Sequence, residues 1–136
     1  MAGKVRMIGF TLIELMLVVI IIGALVAMVV PRFTGRGEQA RKTAAEADIR
    51  ANIPTALKLY ELDNGGFPTT DESLLALLVK SPSANNWNGP YLEKKPLDPW
   101  GRDYKYKSPG DHRADYDIWS LGKDGVESGD DVRNWD

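Results

Sequence analysis

The sequence predicts an α+β fold, in which a long N-terminal helix, membrane-spanning in its first half and amphipathic in its second, packs on a small antiparallel sheet. Three observations predict it. Residues 10–30 are apolar or small throughout, with a single charge at Glu14. Ile49, Ile53, Ala56, Leu57 and Tyr60 recur at helical spacing, which marks one face of a helix for a core. Tyr104-Lys105-Tyr106-Lys107 and Ala114-Asp115-Tyr116-Asp117-Ile118-Trp119 alternate with period two, the spacing of a half-buried strand.

The apolar stretch comes first. A helix of this length spans roughly 30 Å, enough to cross a bilayer. Secretory signal peptides have a shorter apolar core, about 7–15 residues, ending in a small-x-small site. This stretch is longer and ends in Val29-Val30-Pro31, so a retained anchor is expected. Pro31 is expected to end or kink the helix, and Gly35 with Gly37 to add a flexible point, the nearest approach to a linker. An ionised acid in hydrocarbon costs at least a few kcal/mol. Glu14 therefore has either a partner with a function or a place in the first helical turn, where the helix dipole favours an acid.

From Glu38 onward Ala, Glu, Arg and Lys dominate, all good helix formers. One face from Ile49 onward is expected on the core, while Arg50, Lys58 and Glu61 are expected to face water. Pro54 should kink this helix or restart it with the proline in its first turn. Asn64-Gly65-Gly66 is a stop. Thr69 and Glu72 fit a capping box, which predicts a short second helix to about Val79. Ser81 to Pro90 is loop. The two period-two stretches are expected as strands joined by the Ser108-Pro109-Gly110-Asp111 turn.

Composition limits the possibilities. The chain has 136 residues and a formal charge of −2, with no basic run of the kind that tracks phosphates, so nucleic acid is not an expected partner. Charge is uneven: residues 32–62 carry six Lys/Arg against four Asp/Glu, and residues 109–136 carry eight Asp/Glu against three Lys/Arg. There are no cysteines, which removes disulfides, thiolate nucleophiles and Cys-based zinc sites together.

No enzyme is expected. His112 is the only histidine and sits in a Pro/Gly-rich turn, where an exposed loop residue is the ordinary case. No nucleophile-elbow, P-loop or metal-hydrolase pattern is present. Asp115 and Asp117 share a strand face by period two, and such acids are expected on the exposed one.

Gly9-Phe10-Thr11-Leu12-Ile13-Glu14, followed by the unbroken apolar helix and Pro31, resembles the N-terminus of type IV pilins and type II secretion pseudopilins. Two later stretches extend the resemblance toward the major pseudopilin branch. These are Tyr60-Glu61-Leu62-Asp63-Asn64-Gly65-Gly66-Phe67-Pro68-Thr69-Thr70 and the Asp98-Pro99-Trp100-Gly101 turn. Read from structure alone, that turn is a proline-set bend with Trp100 as a core anchor.

The resemblance implies that a prepilin peptidase cuts after Gly9 and methylates the new N-terminus at Phe10. It also implies that Glu14 pairs with the N-terminal amine of a neighbouring subunit during assembly. The leader is basic through Lys4 and Arg6, with Ile8 standing where Lys or Arg commonly precedes the glycine. The division that follows is a leader at 1–9, a membrane and polymerisation helix at 10–31, and a periplasmic domain at 32–136. Arg32, Arg36, Arg41 and Lys42 outnumber Lys4 and Arg6, so the positive-inside rule would place the C-terminal side in the cytoplasm. The resemblance implies the opposite, a single-pass inner-membrane protein with a periplasmic domain, and that orientation is adopted. The missing cysteines favour the pseudopilin branch, because type IV pilins commonly close a C-terminal loop with a disulfide.

The C-terminal stretch Leu121-Gly122-Lys123-Asp124-Gly125-Val126-Glu127-Ser128-Gly129-Asp130-Asp131-Val132 carries four carboxylates within eight residues. Oxygen-rich loops of this type suit Ca²⁺, which takes about 6–8 oxygen ligands. The spacing is not that of an EF-hand, and from spacing alone a solvated acidic tail is the favoured alternative. The resemblance implies a calcium-binding loop with Asp124 as first acidic ligand and Asp130 and Asp131 as the later pair. It adds main-chain oxygens from Leu121 and from near Ser128. The gap between Asp124 and the pair is about one residue shorter than is usual in the family, which leaves the carbonyl near Ser128 open.

The function implied is that of a structural subunit of the type II secretion pseudopilus, processed and then polymerised into a periplasmic filament that drives protein export. Its partners would be further copies of itself, other pseudopilins, inner-membrane assembly proteins and the prepilin peptidase. A type IV pilin or competence pseudopilin is the alternative within the class. A membrane-anchored enzyme or binding module is the alternative outside it.

Overall fold

A computed structural model describes residues 2–4 and 7–136, and for residues 30–34 the backbone alone. Arg6 of the basic leader and the Arg32 side chain fall outside the described residues. Two compact units are present, Met1–Glu38 and Gln39–Asp136.

Helix α1 runs from Leu12 to Ala47, so neither Pro31 nor the Gly35 and Gly37 pair ends it. A proline deletes one backbone donor and the clash is local. The helix therefore continues through Pro31 to Ala47. Leu12–Val29 is long and apolar enough to cross a membrane. Its large side chains, from Leu12 to Val29, are all at least half-exposed or nearly so in the isolated chain.

Pro54 acts one turn upstream of itself. Asp48–Asn52 forms a π-helical turn, the Ile53 N–H donates to the Asp48 carbonyl five residues back, and α2 then runs from Ile53 to Asn64 with Pro54 in its first turn. A proline ring collides with the carbonyl four residues earlier, and the wider turn gives it room. Gly65 closes α2 in the left-handed conformation at φ 83°, its N–H donating to the Glu61 carbonyl at 2.8 Å. That conformation is the reason for glycine here.

The capping box at Thr69 forms as expected. The Thr69 N–H donates to Glu72 Oε2 at 2.8 Å and the Glu72 N–H to Thr69 Oγ1 at 3.3 Å. The expected helix to Val79 does not follow. Ser73 takes φ 56°, outside helical geometry, and only a 3₁₀ turn at Leu74–Leu77 results. Ser73 Oγ accepts the Leu75 N–H instead.

The sheet has three antiparallel strands in the order β1-β2-β3: β1 Lys105–Lys107, β2 Asp117–Ser120 and β3 Val132–Arg133. Tyr106 pairs with Ile118, and Ser120 with Val132. The second strand starts later than the alternation at Ala114 suggests, because residues 111–113 bend back onto Asp117 and the connection is a loop rather than a tight turn. Strand β3 was not anticipated, being two residues at the end of the acidic stretch.

The core lies between the helix and this sheet. Ala45, Ile49, Ile53, Ala56, Leu57 and Tyr60 bury against Leu74, Ala76, Leu77, Tyr104, Tyr106, Ile118 and Val132. Trp100 packs partly buried against the cluster, as an anchor should. The tyrosines keep their hydroxyls satisfied at its margins: Tyr104 donates to Asp48 Oδ2 and Tyr106 to the Pro68 carbonyl, both at 2.7 Å. Burial pushes both phenols well above their ordinary range, so neither ionises under ordinary conditions.

Candidate functional site

The C-terminal loop leaves β2 at Ser120 and returns at Val132, so its two arms are held side by side by the pairing of those residues. Leu121 follows β2 directly and is half-buried. Gly122 turns the chain at φ 66°, and a Cβ there would lie 2.7 Å from the Asp130 carbonyl oxygen. Only glycine lets the arms approach so closely.

Asp124, Asp130 and Asp131 each bring a carboxylate oxygen within 4.8 Å of the others. Ser128 sits among them. Its hydroxyl contacts both Asp124 Oδ2, at 2.8 Å, and Asp130 Oδ1. The Ser128 N–H donates to Asp131 Oδ1 at 3.2 Å and the Lys123 N–H to Asp130 Oδ2 at 3.1 Å. The Ser128 hydroxyl, seconded by the Lys123 N–H, holds the Asp130 carboxyl below the usual range. Asp131 is buried and takes Arg133 Nη2 at 3.2 Å. The same Arg133 nitrogen donates to the Ser128 carbonyl at 3.1 Å, so Ser128 meets the cluster through its hydroxyl and its carbonyl meets the arginine that also binds Asp131.

The donor set is all oxygen, three carboxylates and a hydroxyl, with no nitrogen or sulfur. Such a set fits a hard cation and not a thiophilic one. Glu127 is exposed and stands outside the carboxylate group.

At the other end of the chain, Glu14 lies in the first turn of α1 and completes a capping box with Thr11. The Thr11 N–H and Oγ1 donate to Glu14 Oε2 at 2.9 and 3.0 Å, and the Glu14 N–H donates to Thr11 Oγ1 at 3.3 Å. Gly9 and Phe10 precede the helix and are exposed. The local role of Glu14 in starting the helix is therefore visible. Both Thr11 donors meet the same oxygen, Oε2, and a carboxylate has further acceptor sites on its other oxygen.

The chain matches the family model described as type II secretion system (T2SS), protein G, over residues 32–135. The chain belongs to that family. The type II secretion system core protein G of Pseudomonas aeruginosa is 48% identical over 136 residues, covering 94% of each chain. That of Vibrio cholerae is 46% identical over 134 residues, covering 93% of this chain and 90% of its own. The crystal structure of the major pseudopilin from the type 2 secretion system of enterohaemorrhagic Escherichia coli superposes with a TM-score of 0.67 at 38% identity, covering 79% of this chain and 96% of that one. The protein G fold, a long N-terminal helix on a three-stranded antiparallel sheet, is thus the fold described above.

Several residues that shape the protein G domain here were not anticipated as doing so. Asp117, expected on an exposed face beside Asp115, is 2% exposed, while Asp115 is exposed. The reason is local: Asp117 gathers the backbone N–H groups of Asp111, His112 and Arg113. His112 is half-exposed, but its ring stacks on Trp135 at 4.1 Å. Asp98 is 4% exposed and accepts from the Trp100 and Arg102 N–H groups and from Ser120 Oγ. An Asp directly before Pro-x-Gly was the available signal for Asp98, since Asp side chains bond their own backbone two residues on. No comparable signal marks Asp117.

Proposed function

We propose that this protein is the structural subunit of a type II secretion pseudopilus, processed by a prepilin peptidase and polymerised in the inner membrane into a periplasmic filament that drives protein export. The observation that carries the reading is helix α1 in a protein G family member. Leu12–Val29 exposes every large apolar side chain in the isolated chain, and helix α1 runs on without a break to Ala47. Such a surface is stable only in lipid or against other helices. Gly23, with no atom within 4 Å of a Cβ placed there, and Ala24 or Ala27 would let a neighbouring copy's helix approach closely.

In this reading the leader ends at Gly9, Phe10 becomes the methylated N-terminus, and Glu14 pairs with a neighbour's Phe10 amine. Residues 32–136 lie in the periplasm. Partners are further copies, other pseudopilins and the inner-membrane assembly proteins. The activity is assembly rather than catalysis.

Calcium is the cofactor we assign to the C-terminal loop, held by Asp124, Asp130 and Asp131 with main-chain oxygen from Leu121. The close approach of three carboxylates supports it, since a bound cation offsets their mutual repulsion.

Expression in a type II secretion strain that lacks its own protein G tests the function. Restored export of the strain's secreted proteins is expected, together with an intact mass lowered by the nine leader residues and raised by one methyl group. Processed protein that inserts but restores no export would overturn the assignment.

A further inference from the structure

Asp98 and Arg102 lie in a different part of the sequence from the acidic loop, yet Arg102 reaches its first turn and Asp98 reaches Ser120, the strand end from which the loop leaves. Arg102 Nη1 donates to the Gly122 carbonyl at 2.9 Å, and Nη2 reaches the Lys123 carbonyl at 3.5 Å. The same guanidinium fills the space beside Gly125. A Cβ on Gly125 would lie 2.6 Å from Arg102 Cζ, and Gly125 itself has φ 74°. Asp124 is thereby flanked on both sides by residues that Arg102 touches.

The backbone of Arg102 is fixed in turn. Its N–H donates to Asp98 Oδ1 at 2.8 Å and its carbonyl accepts the Asp98 N–H at 2.7 Å. The second Asp98 oxygen takes Ser120 Oγ at 2.7 Å, and Ser120 Oγ accepts the Gly122 N–H at 3.2 Å. Two routes from the Asp98-Pro99-Trp100-Gly101 turn therefore converge on Gly122: one through Ser120 to its N–H, one through Arg102 to its carbonyl. The returning arm also presses close on Gly122, at Asp130.

We propose that Arg102 is a positioning residue for the cation site: its fork holds residues 122–125 so that Asp124 faces Asp130 and Asp131, and it occupies the Gly122 and Lys123 carbonyls so that they do not compete as ligands. This rests on the calcium assignment above. The planar fork matters more than the charge. A positive charge alone would repel a cation, whereas a guanidinium can hold two carbonyls at once in a geometry that a lysine ammonium does not reproduce.

Residues that orient metal ligands without touching the metal typically change affinity by about 10–100-fold when replaced. The test is calorimetric titration of CaCl₂ into the full chain in detergent, comparing the unmutated protein with Arg102→Lys and Arg102→Ala, alongside melting in chelator. Both variants are expected to bind calcium at least about tenfold more weakly while melting in chelator close to the unmutated protein. Unchanged affinity in Arg102→Lys would overturn the inference and leave the calcium assignment standing. So would an Arg102→Ala variant that melts lower in chelator but binds calcium as before, since Arg102 would then serve folding alone. An unmutated chain that takes up no calcium would overturn the assignment itself, and the inference with it.

Discussion

His112 Nδ1 donates to Asp117 Oδ2 at 2.9 Å across the loop that joins β1 to β2. The same carboxylate collects the backbone N–H groups of Asp111, His112 and Arg113 at 2.8 to 3.0 Å. The loop it closes reaches the C-terminus in turn, through His112 stacked on Trp135 and Arg113 Nη1 donating to the Asn134 carbonyl at 3.2 Å. One buried acid therefore holds together the hairpin connection and the end of the chain.

A pH dependence follows from that carboxylate. Burial alone would raise its pKa, but the His112 ring and the three N–H donors outweigh burial and hold it below the ordinary value of 3.8. A group depressed in the folded state contributes stability above its unfolded pKa and loses it as pH falls through its folded one. Stability should hold at neutral pH and decline once pH drops below about 4. Asp117→Ala strands buried donors and should cost about 2–4 kcal/mol at neutral pH, with part of the acid-side slope removed. Thermal melting of both forms from pH 7 to pH 3 checks this, and parallel curves would show that the carboxylate is not the responsible group.

Glu14 is expected to separate insertion from assembly. Glu14→Gln keeps a side chain able to accept the Thr11 N–H, so the helix start and membrane insertion should survive. The amide lacks the charge that would attract a neighbour's Phe10 amine in a low-dielectric setting. Membrane fractionation should find the variant inserted as usual, while filament yield falls steeply. Filament yield equal to the unmutated protein would reduce Glu14 to its local capping role.

The C-terminal loop should report on calcium through stability. Binding to the folded form alone adds about 2.7 kcal/mol when the ion stands at 100 times its dissociation constant. Extracellular calcium modules work at about 10⁻⁴–10⁻³ M. The full chain in detergent should therefore melt higher with millimolar Ca²⁺ than with chelator, with Mg²⁺ substituting poorly because it demands a smaller octahedral shell. Asp124→Ala should abolish the difference. Equal melting with and without the ion in the unmutated chain would make the loop an acidic tail held by Ser128 and Arg133 alone.

Much of this architecture was legible in the sequence because the signals are local. The apolar run, the helical spacing of Ile49, Ile53, Leu57 and Tyr60, the stop at Gly65 and the capping box at Thr69 each depend on a few adjacent residues. The three aspartates of the loop were also found together, though their juxtaposition needs β2 and β3 to bring the arms side by side. What escaped depends on contacts distant in sequence or on backbone strain. Ser73 breaks the second helix through a positive φ that its residue type does not announce. Asp117 is buried because a folded-back loop brings donors to it, which period-two alternation cannot encode. Arg102 meets Gly122 from 20 residues away, and nothing in either segment alone indicates the other.

Filament assembly is the central claim, and electron microscopy tests it most directly. The full chain would be expressed with its prepilin peptidase and inner-membrane assembly proteins, with calcium or with chelator in the medium. Filaments built from the processed chain are expected with calcium, and few or none with chelator. Processed, membrane-inserted protein that forms no filaments in either condition would contradict the assignment of this protein as a polymerising subunit.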